Sequence, residues 1–84
     1  MKIIKRNGSE VSFDELKITA AIEKANAEAV ETERLSDEDI DNITNNVKYQ
    51  CEKMRRALSV EEIQNLVENE IMKLNAFAVA RKYI

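Results

Sequence analysis

Along the first residues of the chain the apolar positions form a short β-branched run, Ile3 and Ile4, and then, after the polar stretch KRNGSE, the alternation of Val11 with Phe13. Asn7 and Gly8 both tolerate the positive φ that a tight turn demands, so this segment predicts a β-hairpin. Two strands are marginal in water by themselves, and the hairpin must therefore lie on helices.

From Phe13 onward the apolar spacing lengthens to a helical period. Ile18, Ile22, Ala25 and Ala29 recur on one face of a first helix, which starts either in a capping box of Ser12 with Glu15 or at the rival cap Asp14. The polar spacer ETERL ends it. Ser36 and Asp39 open a second helix, whose stripe of Ile40, Ile43, Val47, Cys51 and Met54 runs to about Arg55. LSVEEI is the clearest start signal: Ser59 caps, Glu62 returns the bond, and Leu58 staples against Ile63. Ile63, Leu66, Val67, Ile71 and Leu74 then make the buried stripe of a third helix that stops at Asn75. Phe77, Ala80 and Ile84 mark a short fourth helix running to the last residue without cap, glycine or polar tail, a pattern expected of a fragment cut from a longer chain. The expected fold is α+β and mostly α: an N-terminal β-hairpin capping a four-helix bundle, one domain over residues 1–84.

Composition narrows what such a domain does. A chain of 84 residues with 44% hydrophobic content, one Gly and no Pro has room for one core. Its 13 basic against 16 acidic side chains leave a net charge of −3, which argues against general attraction to nucleic acid or anionic membrane. No apolar run approaches a membrane span or a signal peptide, so the chain reads as cytoplasmic. With a single cysteine and no histidine, an internal disulfide and the commonest general base are both missing. Cys51 falls on an apolar stripe and reads as a structural thiol. The acidic runs SDEDID and EEIQNLVENE sit where carboxylates favour a helix dipole, which explains them without a metal. Phe13 and Phe77 read as core, and with Tyr49 and Tyr83 they are too scattered for a base-stacking platform. These residues hold no activated nucleophile and no metal cluster, so the chain by itself is not expected to be an enzyme.

The cations are the informative feature. Lys5 and Arg6 precede a tight turn, and Lys17 lies about one turn into a helix that a short connection brings near it. Three cations at one place suit a phosphate chain, with Lys as a point charge and Arg as a bidentate fork. The same cations would equally guard an exposed edge strand. Because Gly8 is the only glycine, a P-loop or Rossmann turn is excluded, and side chains would have to hold the phosphates. Val60 and Gln64, one turn apart, could place an apolar group and an amide beside a base.

IIKRNG followed directly by VSFDELKITAAIEKA, then LSVEEIQNLVENEIMKL and finally FAVARKYI together resemble the ATP-cone, in order and over essentially the whole chain. This is the regulatory nucleotide-binding domain at the amino end of many ribonucleotide reductases and in their bacterial transcriptional repressor. The resemblance implies that the domain binds ATP or dATP, with Mg2+, and sets the overall activity of a parent enzyme through that parent's catalytic domain, a partner subunit or a homo-oligomer. It implies a nucleotide site of Ile3, Lys5, Arg6, Asp14, Lys17, Ile18, Val60 and Gln64. Lys5, Arg6 and Lys17 would face the phosphates, Ile18, Val60 and Gln64 the base, and Ile3 the wall. With no zinc-ribbon cysteines ahead of the cone, a reductase is a better parent than the repressor, and the expected type is an anaerobic bacterial ribonucleoside-triphosphate reductase. The rival expectations are a helical interaction module without ligand and a DNA-associated regulator, the latter opposed by the acidic balance.

Overall fold

The computed structural model describes residues 1–84. Its elements are β1 (Lys2–Ile4), β2 (Glu10–Ser12), α1 (Glu15–Glu28), α2 (Asp37–Met54), β3 (Leu58–Ser59), α3 (Val60–Lys73) and α4 (Phe77–Tyr83), with one 3₁₀ turn, Glu31–Glu33, between α1 and α2. The fold is α+β and mostly α, four helices with a small sheet at the amino end, as expected.

β1 and β2 pair antiparallel with Ile3 opposite Val11. In the loop between them the Gly8 N–H donates to the Lys5 carbonyl at 2.9 Å and the Lys5 N–H to that of Ser9 at 2.8 Å, the pattern of a three-residue loop closed by a left-handed glycine. Within this loop only Gly8 takes a positive φ, +86°. Asn7 contributes through its side chain instead, its Oδ1 accepting from the Ser9 N–H at 3.0 Å and from the Ser9 hydroxyl at 2.7 Å.

The sheet has a third strand that hydrophobic periodicity did not predict. β3 runs parallel to β1, with Ile3 beside Leu58 and Ile4 beside Ser59, so the strand order is β2-β1-β3. Ser59 ends β3 and caps α3, its hydroxyl accepting from the Glu62 N–H at 3.1 Å while the Glu62 carboxylate accepts from the Ser59 N–H at 3.0 Å. The hairpin is thereby locked in register to the start of a helix more than forty residues away.

The other helix ends follow short-range rules. Ser36 and Asp39 form the expected capping box of α2. At α1 the Asp14 cap forms, with Oδ1 accepting from the Leu16 N–H at 3.0 Å; the Ser12 box does not, because Ser12 is still in the strand ladder opposite Lys2. Arg55 and Asn75 turn left-handed, with φ of 55° and 59°, and end α2 and α3.

Sixteen buried residues make one core, in which α1 packs on α2 and α4, and α3 packs on α2 and α4. The predicted stripes supply most of it, including Ile22, Ile43, Val47, Val67 and Ile71. Three expected core residues are instead exposed: Met54 at 44%, Leu74 at 46% and Phe77 at 46%. Each stands at a helix end, where the chain turns away and the face that points inward belongs to its neighbours. Ala76, Val79 and Ala80 fill the place given to Phe77, and Ile84 lies exposed beyond α4. Cys51 is buried as expected, and burial, with Glu52 and Glu62 nearby, pushes its thiol pKa up. One carboxylate is buried as well: Glu70 accepts from Asn46 and Gln50 of α2 at 3.1 and 3.2 Å and from Lys73 at 2.8 Å. No helix is long and apolar enough to cross a membrane.

Candidate functional site

Four elements converge on a cavity of about 330 Å³, within the size range of small-ligand sites. The hairpin contributes Ile3 and Lys5, alternate residues that share one side of the chain. From α1 and its cap come Asp14, Lys17, Ile18 and Ala21, at the i, i+3, i+4, i+7 spacing of a single helix face. Val60, Ile63 and Gln64 repeat that spacing on α3, and Tyr83 closes the wall from α4. β3 is what makes this possible, since its pairing with β1 sets Val60 and Gln64 beside Ile3 and Lys5.

Seven of the eight residues named from the sequence therefore line one cavity. The eighth, Arg6, does not. It lines an adjoining hollow of about 360 Å³ with Lys5, Asn7, Val60 and Gln64, and its Nε donates to Glu61 Oε1 at 2.7 Å. Lys5, Val60 and Gln64 border both spaces, so the two adjoin along one groove face.

The charges in the groove are unequally committed. The chain's four ion pairs join Arg6 to Glu61, Lys48 to Glu15, Arg56 to Glu62 and Lys73 to Glu70, which leaves Lys5 and Lys17 without a carboxylate partner. Two unpaired ammonium groups at one opening raise the local positive potential despite the chain's net charge of −3. Neither stands on an edge strand: Lys5 follows β1, the middle strand of the sheet, and Lys17 is on α1. Asp14 already spends one oxygen on its cap and is the one carboxylate lining the cavity. No group of three or more His, Cys, Asp or Glu side chains is placed to hold a metal ion by itself.

Apolar surface makes the rest of the wall: Ile3, Ile18, Ala21, Val60 and Ile63 face the space, with the Gln64 amide and the Tyr83 phenol among them. Burial, with Glu68 nearby, pushes the Tyr83 phenol pKa up, so the ring presents a protonated hydroxyl at neutral pH. Sequence reasoning missed Val11 and Ser12 of the hairpin, Ala21, Tyr83 and the cavity-facing part of Ile63. The spacing signal for Ala21 was available, one turn beyond Lys17 and Ile18, and a small side chain there leaves room for a ligand. For Tyr83 no local signal existed.

The groove thus combines apolar side chains, an amide, a phenol and two unpaired cations, a set of groups chemically able to hold a base and phosphates. The ATP cone domain family matches this chain over residues 1–84. Among curated proteins it is similar to the ribonucleoside-diphosphate reductase subunit alpha of Chlamydia trachomatis serovar D, 33% identical over the whole chain and 9% of that protein. The subunits of the same name from Chlamydia muridarum and Chlamydia pneumoniae are 28% and 30% identical, over 100% and 98% of this chain. The chain thus spans about a tenth of the length of the curated relatives it matches. Their names carry the diphosphate type, contrary to the triphosphate type expected from the sequence. A match that leaves no residue of the chain uncovered, on a fold with the expected hairpin and four helices, establishes that the chain belongs to the ATP-cone domain family, nucleotide-binding regulatory domains of ribonucleotide reductases.

Proposed function

We propose that these 84 residues are the regulatory cone of a ribonucleotide reductase α subunit of the diphosphate type, binding ATP or dATP and controlling the parent's overall activity in the cytoplasm. The observation that carries this reading is the pair of uncommitted ammonium groups, Lys5 and Lys17, at the mouth of an apolar cavity in a chain matched throughout by the ATP-cone family. The adenine lies against Ile18 and Val60, with the Gln64 amide able to donate and accept along one base edge. Ile3 forms a side wall. The phosphates follow Lys17, Lys5 and Arg6, where charge-assisted bonds are strongest. Mg2+ enters with the triphosphate, coordinated by phosphate oxygens as is usual for this ion, with Asp14 the cavity carboxylate able to reach its shell.

Regulation then follows from differential binding. A nucleotide shifts the cone between arrangements against the catalytic domain, a partner subunit or a second copy only if it binds those arrangements unequally. ATP and dATP differ by one ribose hydroxyl, so that hydroxyl must alter either the contacts or the number of nucleotides held. The cone performs no chemistry itself.

Melting the chain against rising ATP, dATP and GTP tests the reading. Both adenine nucleotides should raise Tm progressively once their concentration passes Kd, by mass action on the folded state. GTP should do so less, because its base edge presents a different donor and acceptor order to Gln64. A Tm indifferent to all three would overturn the assignment.

A further inference from the structure

Arg6 is the outlier of the site. It stands beside the cavity, not in it, and its guanidinium is already held by Glu61 from the first turn of α3. Across the groove the cations are ordered: Lys17 lines only the cavity, Lys5 borders both spaces, and Arg6 lines only the adjoining hollow. That hollow is lined by Lys5, Arg6 and two amides, Asn7 and Gln64, together with Val60, and by no carboxylate. A phosphate chain entering past Lys17 therefore meets Arg6 last. It also meets it occupied, since the Arg6–Glu61 distance of 2.7 Å leaves Nε engaged.

Building on the nucleotide reading above, we propose that Glu61 is an internal stand-in for the terminal phosphate: it occupies Arg6 in the ligand-free domain, and only a nucleotide whose phosphate chain reaches the second hollow displaces it. Glu61 thereby sets selectivity for polyphosphate length. The exchange is one acceptor for another on the same guanidinium, and it needs no change of fold. Both side chains are largely exposed, so the pair is weak enough to open. The Glu61 carboxylate is nevertheless well organised, because its own main-chain N–H and then Arg6 donate to it and lower its pKa. Opening the pair would also free the link between the hairpin loop and α3, so that a long ligand, unlike a short one, replaces a protein-to-protein contact with its own.

Calorimetric titration of ATP and AMP into four forms of the chain tests this: the natural sequence, Glu61→Gln, Arg6→Ala and the double variant. Removing the competitor should tighten ATP about two- to fivefold, the scale of an exposed ion pair, and leave AMP unchanged. In the Arg6→Ala background the gain should vanish. Equal gains for ATP and AMP, or a gain that persists without Arg6, would mean that Glu61 acts by general charge repulsion and would overturn the proposal. So would the absence of any gain while the natural sequence binds ATP. Failure of the natural sequence to bind ATP at all would instead strike the nucleotide reading and this one together. Melting of each variant without ligand separates these outcomes from loss of fold.

Discussion

At the scale of single residues, the groove separates side chains that hold the fold from side chains that are free to hold something else. Lys17 is exposed, has no ion-pair partner and points its helix face into the cavity. Its neighbour Ile18 is buried in the core and lines the same cavity. Truncating Lys17 to Ala should therefore leave the ligand-free Tm nearly unchanged, since surface changes away from caps and cores usually stay within about 0.5 kcal/mol. The same change should weaken ATP by roughly tenfold or more, the value of one lost charge-assisted contact of about 1.5–3 kcal/mol. Parallel melting and binding measurements on Lys17→Ala check both halves, and a large fall in the ligand-free Tm would assign the residue to the fold. Much of this was legible from spacing alone, because residues three and four apart on a helix share a face whatever the rest of the chain does. The Arg6–Glu61 contact was not, as it joins residues separated by 55 positions. Neither was the place of Tyr83, whose ring reaches the cavity only because α4 packs across α1 and α3.

At the scale of elements, boundaries written in short-range chemistry were readable and the tertiary sheet was not. The capping boxes at Ser36 and Ser59 and the left-handed stop at Asn75 follow from residues a few positions apart. β3 has two residues and no alternation to announce it, and it exists because β1 offers it a partner. Ser59 is consequently the joint on which the site depends, serving strand and helix together. Ser59→Ala should lower stability by about 1 kcal/mol, the usual scale of a lost N-cap, in urea unfolding. It should also weaken nucleotide binding, because Val60 and Gln64 are positioned by that first turn. A variant that lost stability and kept its affinity would show that the wall is held by helix packing instead.

At the scale of the whole molecule, a net charge of −3 conceals a specific distribution of acid. Glu62 is the best-held carboxylate: bonds from Arg56 and then from the Ser59 N–H lower its pKa from 4.5 to about 2. Burial pushes Glu70 the other way, but Lys73, Asn46 and Gln50 outweigh it and keep its pKa below the ordinary value. Groups whose pKa is lower folded than unfolded stabilise the fold above their unfolded pKa and cease to do so as pH falls through the folded one. Tm should thus decline as pH drops from 4.5 towards about 2, the window set by Glu62. Glu62→Gln, which keeps the shape of the capping box without its charge, should flatten part of that decline. An unchanged acid limb would place the sensitivity at Glu70 and the α2–α3 joint.

The two-residue strand carries one mechanical consequence. A 14-residue helix is a rod about 21 Å long, and Ser59 fixes one end of it to the sheet. With one glycine in the chain, spent in the hairpin loop, and no proline, nothing in α3 invites a bend. A ligand that nudged the hairpin would thus swing the rod as a lever, its far end near Lys73 travelling farthest, and Glu70 would drag α2 along with it.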